Sequence, residues 1–169
     1  GFMLLAIMSY QYMSEGTIFF YLIIYLITTF GVFSVILNLR TSEGEITLLT
    51  GLNGLKASSR SKAISMLVFL FSLAGIPPFA GFFAKFFILS ASINDGFYIL
   101  SVIAVISSVI AAFYYLSVIK NMFFNESETE LLLDNNRLSS FIFISSAIII
   151  TLFFFYPDPL INLVDSLFN

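Results

Sequence analysis

The chain has 169 residues, of which 59% are hydrophobic and only 10% are charged, and its net charge is −3. Soluble domains carry about 25% charged residues, so this composition excludes an ordinary soluble domain and indicates an integral membrane protein. The small, scattered charge argues against a nucleic-acid partner. The absence of Cys and His excludes disulfides, thiolate sites and imidazole ligands within the chain, so proton chemistry must use Lys, Asp, Glu, Tyr or water.

Apolar runs predict an all-α integral membrane protein with about five full transmembrane helices, one of them broken, and a partial helix at the start. The run 17–38 is free of charge over 22 residues, which is long enough to cross the hydrocarbon core. We expect one transmembrane domain over residues 1–169. Its predicted helices are about 1–12, 17–38, 59–76, 78–93, 97–122 and 137–156, with a short amphipathic surface helix at 159–168.

The polar segments between these runs are expected to be loops. In the loop 39–62, residues 45–50 are predicted to form a short strand after a turn at 42–44. The acidic segment 124–137 is interpreted as a solvated connector rather than an ion site, because its acids lack the spacing of a calcium loop.

Lys85 lies inside the apolar stretch 72–90 and is the one ionisable residue between Lys62 and Asp95. A charged side chain at the centre of a membrane helix costs roughly 2.5–3.5 kcal/mol on insertion scales, so such residues by default mark a functional site. A lysine in a water-poor interior can gain and lose a proton near neutral pH. We therefore predict that Lys85 is a proton relay.

A helix break is predicted directly before Lys85. The residues expected to form it are Gly75, Pro77, Pro78 and Gly81. Proline cannot continue a helix, and glycine permits close backbone approach. The break would free backbone carbonyls at mid-depth, which is tolerated only where protein or cavity water satisfies them.

The alternative interpretation of Lys85 is a side chain that snorkels to the membrane surface. Its helix face includes Gly81 and Ser92, which are small or polar, so we expect that face to meet neighbouring helices. The turn at 94–96 lies about 13 Å along the helix from Lys85. This distance is long for the side chain, so the functional interpretation is preferred.

Hydroxyl residues on the neighbouring helices suggest a hydrated polar path to Lys85. Its expected members are Ser72, Ser92, Ser101, Ser108 and Tyr115. A further group shares one face of the run 17–38 and consists of Tyr21, Tyr25 and Thr28. For any single residue, ordinary small-residue packing is the competing interpretation. Asp95 is a candidate proton acceptor beyond Lys85, although an Asn-Asp-Gly sequence more often serves turn formation.

Three sequence blocks resemble subunit 2 of respiratory complex I, NADH:ubiquinone oxidoreductase, in its C-terminal part. The first block, at 72–87, reads SLAGIPPFAGFFAKFF. The second combines FYY at 113–115 with IKNMFF at 119–124, and the third, at 152–160, reads LFFFYPDPL. The first block is also similar to sister antiporter-like subunits and to Mrp-type sodium/proton antiporters. Its lysine and the ending of the third block favour the complex I subunit.

The resemblance implies that Lys85 corresponds to the central relay lysine of a broken helix. It implies that the loop 39–62 carries a hairpin outside the membrane and that 160–169 bridges to a neighbour. The partners implied are lipids and other membrane-arm subunits, including neighbouring antiporter-like subunits. Flavin, iron–sulfur clusters and ubiquinone are expected elsewhere in the complex. This chain is expected to be a non-redox subunit of a proton-translocating enzyme, without its own cofactor or metal.

The resemblance begins at Gly1 and Phe2, whereas the family subunit has a further half upstream. We therefore expect a split subunit with a separate N-terminal piece. The 22 Phe residues and the lack of Trp are typical of an AT-rich organellar genome and predict the mitochondrial inner membrane. Positive-inside counting places the loop 39–62 on the matrix side, whereas the resemblance places it on the intermembrane side.

Two alternatives to proton pumping in complex I stay open. One is a cation/proton antiporter subunit of the Mrp type, which would work without redox partners. The other is a structural fragment that conducts nothing, with Lys85 held in a static pair.

Overall fold

The computed structural model of the protein describes residues 1–9, 15–41, 44–45, 49–126, 131–133, 137–153 and 155. Within these ranges the chain forms a bundle of helices with one small antiparallel sheet. The helices are α1 (Phe2–Met8), α2 (Glu15–Ile36), α3 (Leu55–Ser58), α4 (Arg60–Ala74), α5 (Ala80–Asn94), α6 (Tyr98–Phe124) and α7 (Arg137–Leu152).

Two of the described helices are long and apolar enough to cross a membrane. They are the segment Gly16–Ile36 of α2, with 21 residues, and α6, with 27 residues. At 1.5 Å per residue these lengths are about 32 and 40 Å, against a hydrocarbon core of about 30 Å. α4 and α5 have 15 residues each, or about 22 Å, so neither crosses such a core alone.

α4 and α5 lie end to end along α2, which runs in the opposite direction. Phe69 of α4 packs against Gly31 of α2, where an added Cβ would overlap with the phenyl ring. Further along, Phe87 of α5 meets Phe20 of α2 with ring centroids 6.0 Å apart. Residue numbers along α2 decrease as those along α4 and α5 increase. Both short helices therefore run antiparallel to α2 and form one discontinuous rod.

α6 runs antiparallel to this rod and bridges its two halves. Ser101 of α6 is hydrogen-bonded to Ser92 of α5, and Ser108 of α6 is hydrogen-bonded to Lys85. The rest of α6 continues along α4. The contact between α5 and α6 is therefore polar at two levels.

α7 completes the bundle against α2 and α4. The hydroxyl of Ser34 in α2 donates to the carbonyl of Ser139 in α7 over 3.1 Å. Near the other end of α7, the ring of Phe153 lies 5.1 Å from that of Phe20. Large side chains fill the space between these helices, and Phe69, Phe143 and Ile150 are fully buried there.

A three-stranded antiparallel sheet joins the loops at one end of the bundle. Its strands are β1 (Leu39–Thr41), β2 (Gly44–Glu45) and β3 (Leu131–Leu133), in the order β2-β1-β3. In β1, Arg40 lies opposite Leu132 of β3. The hairpin β1–β2 follows α2 and β3 follows α6, so the sheet ties together the loops that leave these two helices.

The strand predicted at 45–50 is present only in part. Gly44–Glu45 is β2, but Leu49–Leu52 forms a 3₁₀ turn, so the strand prediction is wrong at its C-terminal end. The turn carries Leu52 into the hydrophobic core, and this burial outweighs local strand preference. β3 was not predicted, and it lies within the segment 124–137 that was interpreted as a connector.

The helix boundaries differ from the predicted ones where the break lies. α5 begins at Ala80 instead of residue 78, because Phe79 is still extended with φ −83° and ψ 151°. α6 ends at Phe124, two residues beyond its predicted end. The predicted surface helix at 159–168 lies outside the described residues.

Candidate functional site

α4 ends in a glycine turn that leaves two carbonyls open. Gly75 has φ 82°, a left-handed conformation that glycine adopts without the clash a Cβ would cause. Its N–H lies 3.0 Å from the carbonyl oxygens of Phe71 and Ser72. The carbonyls of Leu73 and Ala74 come after these in the last turn and can accept hydrogen bonds from elsewhere.

Lys85 supplies those hydrogen bonds. Its Nζ donates to the carbonyl of Leu73 over 2.7 Å, to that of Ala74 over 3.2 Å and to the hydroxyl oxygen of Ser108 over 3.0 Å. A positive charge at a helix C-terminus is favoured by the helix dipole. The side chain is partly buried and reaches back to the break, which is the direction away from the turn at 94–96.

Gly81 allows α5 to start in contact with the end of α4. Its N–H donates to the hydroxyl oxygen of Ser72 over 3.1 Å. A Cβ at this position would overlap with the backbone carbonyl oxygen of Ser72. Glycine is therefore required here for the close approach that places Lys85, one turn later, beside the open carbonyls.

Aromatic rings cover one side of the amine. The Lys85 Nζ lies 5.2 Å from the ring centroid of Phe2, a cation–π distance that contributes roughly 0.5–2 kcal/mol in proteins. Phe2 stacks on Tyr21 at 6.3 Å, and Tyr21 stacks on Tyr25 at 6.1 Å. A stack of three rings therefore leads away from the amine, from Phe2 of α1 to Tyr21 and then Tyr25 of α2.

A cavity of about 270 Å³ adjoins the Lys85 side chain. This volume has room for several water molecules. Its walls come from α1, α2, α4, α5 and α6, and they carry hydroxyl groups on three sides. The hydroxyl residues lining it are Tyr21, Tyr25, Thr28, Ser72, Ser107, Ser108 and Tyr115. We call this space the Lys85 cavity.

The structure separates the predicted polar path into two groups. Ser72, Ser108 and Tyr115 line the Lys85 cavity. Ser92 and Ser101 do not line it, and instead form a buried pair in which Ser101 donates to Ser92 over 2.9 Å. The predicted path residues are therefore not one continuous file in this structure.

The four residues predicted to form the helix break lie at the junction of α4 and α5. Pro77 and Pro78 lie between α4 and α5, joined by a cis peptide bond. Gly75 ends α4, and Gly81 lies in the first turn of α5. A Cβ on Gly75 would lie 3.0 Å from the Lys85 Cδ, so Gly75 leaves room for the lysine side chain.

The acceptors around the Lys85 amine are neutral. A lysine ammonium has three donors and no acceptor, and three neutral acceptors surround it here. Among the side chains that the structure describes, no carboxylate pairs with Lys85. Within this set the ammonium is therefore held by neutral acceptors alone, and the hydroxyl residues of the Lys85 cavity adjoin it.

Lys62 is a second interior lysine, which lies at the start of the predicted helix 59–76 and was given no role from the sequence. Only 2% of its surface is exposed, and its Nζ donates to the carbonyl of Asn38 beyond the end of α2 over 3.2 Å. Helical spacing gave a signal for this position, because Lys62 and Ser65 share the α4 face that also carries Ser72. The amine fastens the end of α2 to the start of α4.

Replacing Lys62 by Met is expected to lower the stability of the bundle. Met keeps most of the side-chain volume but leaves the Asn38 carbonyl without this donor, which costs about 1–3 kcal/mol. Thermal denaturation of the purified protein in detergent measures the loss. Lys56→Met is the matched control, because Lys56 is exposed and its ammonium lies over the ring of Phe123 at 5.6 Å from the centroid. An equal loss in both variants would contradict the interior role of Lys62.

The two long apolar helices, the broken rod and the amine held at its break define a polytopic helical membrane protein with a candidate proton-transfer site. Residues 1–111 match the family model described as NADH:quinone oxidoreductase/Mrp antiporter, transmembrane. This match covers more than half of the chain, so the chain belongs to that family.

Several bacterial proteins are similar to this chain. NADH-quinone oxidoreductase subunit N of Rhodospirillum rubrum is 47% identical over 111 residues, which cover 66% of this chain and 23% of that protein. Subunit N of Rhodobacter capsulatus is 40% identical over 131 residues, which cover 78% of this chain and 27% of that protein. The chain thus spans about a quarter of the length of the curated relatives it matches.

The fold is similar to that of a solved respiratory enzyme chain. A chain of respiratory complex I from Thermus thermophilus, solved with bound aureothin, superposes with a TM-score of 0.83 at 24% identity. The match covers 95% of this chain and 36% of that one. At this level of identity the comparison shows that the fold is shared.

Proposed function

We propose that the chain is part of a proton-translocating membrane-arm subunit of respiratory complex I, similar to subunit N of the bacterial enzyme and to subunit 2 of the mitochondrial one. The observation that carries the proposal is the Lys85 amine, held at the open C-terminus of α4 beside a hydroxyl-lined cavity. The membership of residues 1–111 in the NADH:quinone oxidoreductase/Mrp antiporter family supports it.

Proton transfer would use the broken rod as a fixed frame. In the ammonium form, Lys85 donates to the carbonyls of Leu73 and Ala74 and to Ser108. When the amine gives its proton to the Lys85 cavity, it gains a lone pair and can be recharged by water or a hydroxyl on another side. The electron transfer from NADH to quinone would occur in other subunits and bias this exchange.

The broken rod also sets the number of membrane crossings that we propose. α4 and α5 are each too short for one crossing, and they lie end to end along α2. They would therefore form a single interrupted crossing instead of two. Together with α2 and α6 this gives three crossings in the described part of the chain, where the sequence predicted about five. α7 has 16 residues, or about 24 Å, and is therefore also shorter than the hydrocarbon core over its described length.

Partners and location follow from the proposed role. The chain would work with neighbouring membrane-arm subunits and with the part of the subunit that its relatives carry and this sequence does not span, on the same or a separate polypeptide. The sheet that joins the loops after α2 and α6 would lie outside the membrane. The Phe-rich, Trp-free composition supports the mitochondrial inner membrane, although the relatives above are bacterial.

Two competing functions rest on specific observations. The family description includes Mrp antiporters, so a cation/proton antiporter subunit would fit the same fold. Lys85 also caps the end of α4, so the amine would serve a purely structural fragment equally well if it never released its proton.

Purification of the chain from its own membranes tests the proposal. A tag on this chain is expected to recover a complex that oxidises NADH with a quinone acceptor and acidifies or alkalinises liposomes during turnover. Recovery of a complex without flavin and iron–sulfur clusters, with sodium-dependent proton exchange, would establish the antiporter function instead. Recovery of an NADH-oxidising complex whose proton translocation is unaffected by any change at Lys85 would leave the structural role.

A further inference from the structure

We propose that Asp95 is a second proton-binding group, which receives the proton that Lys85 releases. The two groups lie at opposite ends of a ladder of paired polar side chains between α5 and α6. The inference rests on the proposed function of Lys85 and adds the next group along α5.

The ladder consists of two hydrogen-bonded pairs across the contact between α5 and α6. Lys85 donates to Ser108 over 3.0 Å, and Ser101 donates to Ser92 over 2.9 Å. On each helix the second pair lies seven residues from the first, which is two turns or about 10.5 Å at the helical rise. Seven residues also return to the same helix face, so the two pairs are stacked along one line.

Asp95 lies one turn beyond the Ser92 pair, at the C-terminal cap of α5. Both of its carboxylate oxygens are shielded from solvent, and neither has a hydrogen-bond partner among the residues that the structure describes. Nearly all buried polar atoms in native proteins are hydrogen-bonded, and an exception calls for an explanation such as strain, a bound water or a chemical role. A carboxyl group three residues from Ser92 is on the neighbouring turn of the same face, where the ladder ends.

The turn at Asn94–Gly96 does not need the Asp95 carboxylate. In a turn built by an aspartate side chain, the carboxylate accepts a bond from a nearby backbone N–H. Here the N–H of Gly96 donates to the carbonyl of Ile93 over 3.0 Å, and the N–H of Phe97 donates to the carbonyl of Ser92 over 2.9 Å. Backbone carbonyls thus satisfy the turn, and the carboxylate is left for another purpose.

An apolar layer separates the two pairs. It is formed by Leu5, Ala6, Ile88 and Ala91, with Ala104 packed against it. Ile88 is fully buried. In the state described by the structure, this layer keeps the Lys85 cavity apart from Ser92 and Asp95, so a proton crosses only when water enters the layer.

One proton moves from Lys85 to Asp95, so each group changes its charge once. The proton leaves the Lys85 ammonium, passes through water in the apolar layer and the hydroxyls of Ser101 and Ser92, and binds a carboxylate oxygen of Asp95. Lys85 is then a neutral amine and Asp95 a neutral carboxyl group. Release of the proton from Asp95 at the end of α5 restores the carboxylate, and the Lys85 cavity supplies a new proton to the amine.

Asp95→Asn in the assembled complex, reconstituted in liposomes, tests this role. NADH-driven proton flux through this chain is expected to fall by about 10²-fold, the scale of a lost acid–base group. Asp95→Glu keeps a carboxyl group and is expected to retain most of the flux. Glu126→Gln is the matched control, because Glu126 is exposed after the end of α6 and its loss changes the charge by the same amount.

Infrared difference spectra between resting and NADH-driven enzyme give a readout that does not depend on pumping. A carboxyl C=O band that appears during turnover, is absent in Asp95→Asn and is shifted in Asp95→Glu supports the proposal. If the complex with Asp95→Asn does not assemble, the double variant Ser92→Ala and Ser101→Ala is measured instead. Loss of the same carboxyl band in that variant supports the proposal.

The outcomes separate this inference from the proposed function. Normal flux and an unchanged band in Asp95→Asn, together with lost flux in Lys85→Met, would overturn the role of Asp95 and leave that of Lys85. Normal flux in Lys85→Met would overturn the proposed function of Lys85 itself.

Discussion

Lys85→Arg is expected to leave the enzyme assembled and able to oxidise NADH but to stop proton transfer through this chain. Arginine keeps the positive charge and has enough donors for the carbonyls of Leu73 and Ala74 and the hydroxyl of Ser108, but it does not release its proton in proteins. A structural cap therefore survives the substitution and a proton relay does not. We expect the flux through the site to fall by about 10²-fold or more.

The measurement is the number of protons translocated per NADH oxidised, followed with a pH-sensitive dye in liposomes that contain the complex. Lys85→Met removes charge and donors together and is expected to lose both flux and part of the stability. Lys120→Arg is the matched control, because Lys120 is exposed on α6. Wild-type flux in Lys85→Arg with failed assembly in Lys85→Met would show that the amine is only a cap.

Gly81→Ala is expected to disrupt the break and displace Lys85 from the carbonyls it caps. The added Cβ would overlap with the backbone carbonyl oxygen of Ser72, and α5 must move away from α4 to accommodate it. The movement also breaks the hydrogen bond from the Gly81 N–H to the Ser72 hydroxyl. Overpacking costs about 1–3 kcal/mol and the hydrogen bond about 1 kcal/mol, so we expect less assembled complex and little flux.

Gly31→Ala provides a matched comparison for Gly81→Ala. Its Cβ would overlap with the ring of Phe69, which is a side chain and can be changed. Phe69→Leu is therefore expected to restore the amount of complex in Gly31→Ala, measured on native gels. Ser72→Ala is not expected to restore it in Gly81→Ala, because the obstacle there is backbone. Recovery by Ser72→Ala would contradict the close approach of α5 to α4.

The centre of the site was predictable from sequence because its chemistry is local. One lysine within a charge-free apolar stretch is costly in a membrane, and prolines with glycines beside it indicate a broken helix. Pro77, Pro78, Gly75 and Gly81 do lie at the junction of α4 and α5. These features depend on neighbours in sequence and need no knowledge of the fold.

The partners of Lys85 could not be predicted, since they depend on how helices are aligned. Small and hydroxyl residues recur along α6, and only the vertical alignment of α6 against α5 decides that Ser108 meets Lys85 while Ser101 meets Ser92. The same limit explains why one polar path was predicted where the structure has two polar levels with an apolar layer between them.

Long-range contacts also explain the remaining differences. β3 pairs with β1 across most of the chain, and a three-residue strand has no periodic pattern that reveals it. Lys62 lies at the start of the predicted helix 59–76, but its burial was not predicted because its acceptor, the carbonyl of Asn38, is 24 residues away in sequence. That α4 and α5 form one rod follows from their shared contact with α2, which sequence alone does not show.

The central claim is that the Lys85 amine changes its protonation state inside the protein. Nitrogen-15 solid-state NMR of the assembled complex in lipid bilayers tests it most directly, with the Lys85 Nζ resonance assigned by its loss in Lys85→Met. We expect the resonance to shift between the ammonium and neutral-amine positions when turnover or pH changes. A resonance that stays at the ammonium position under all these conditions would contradict the claim.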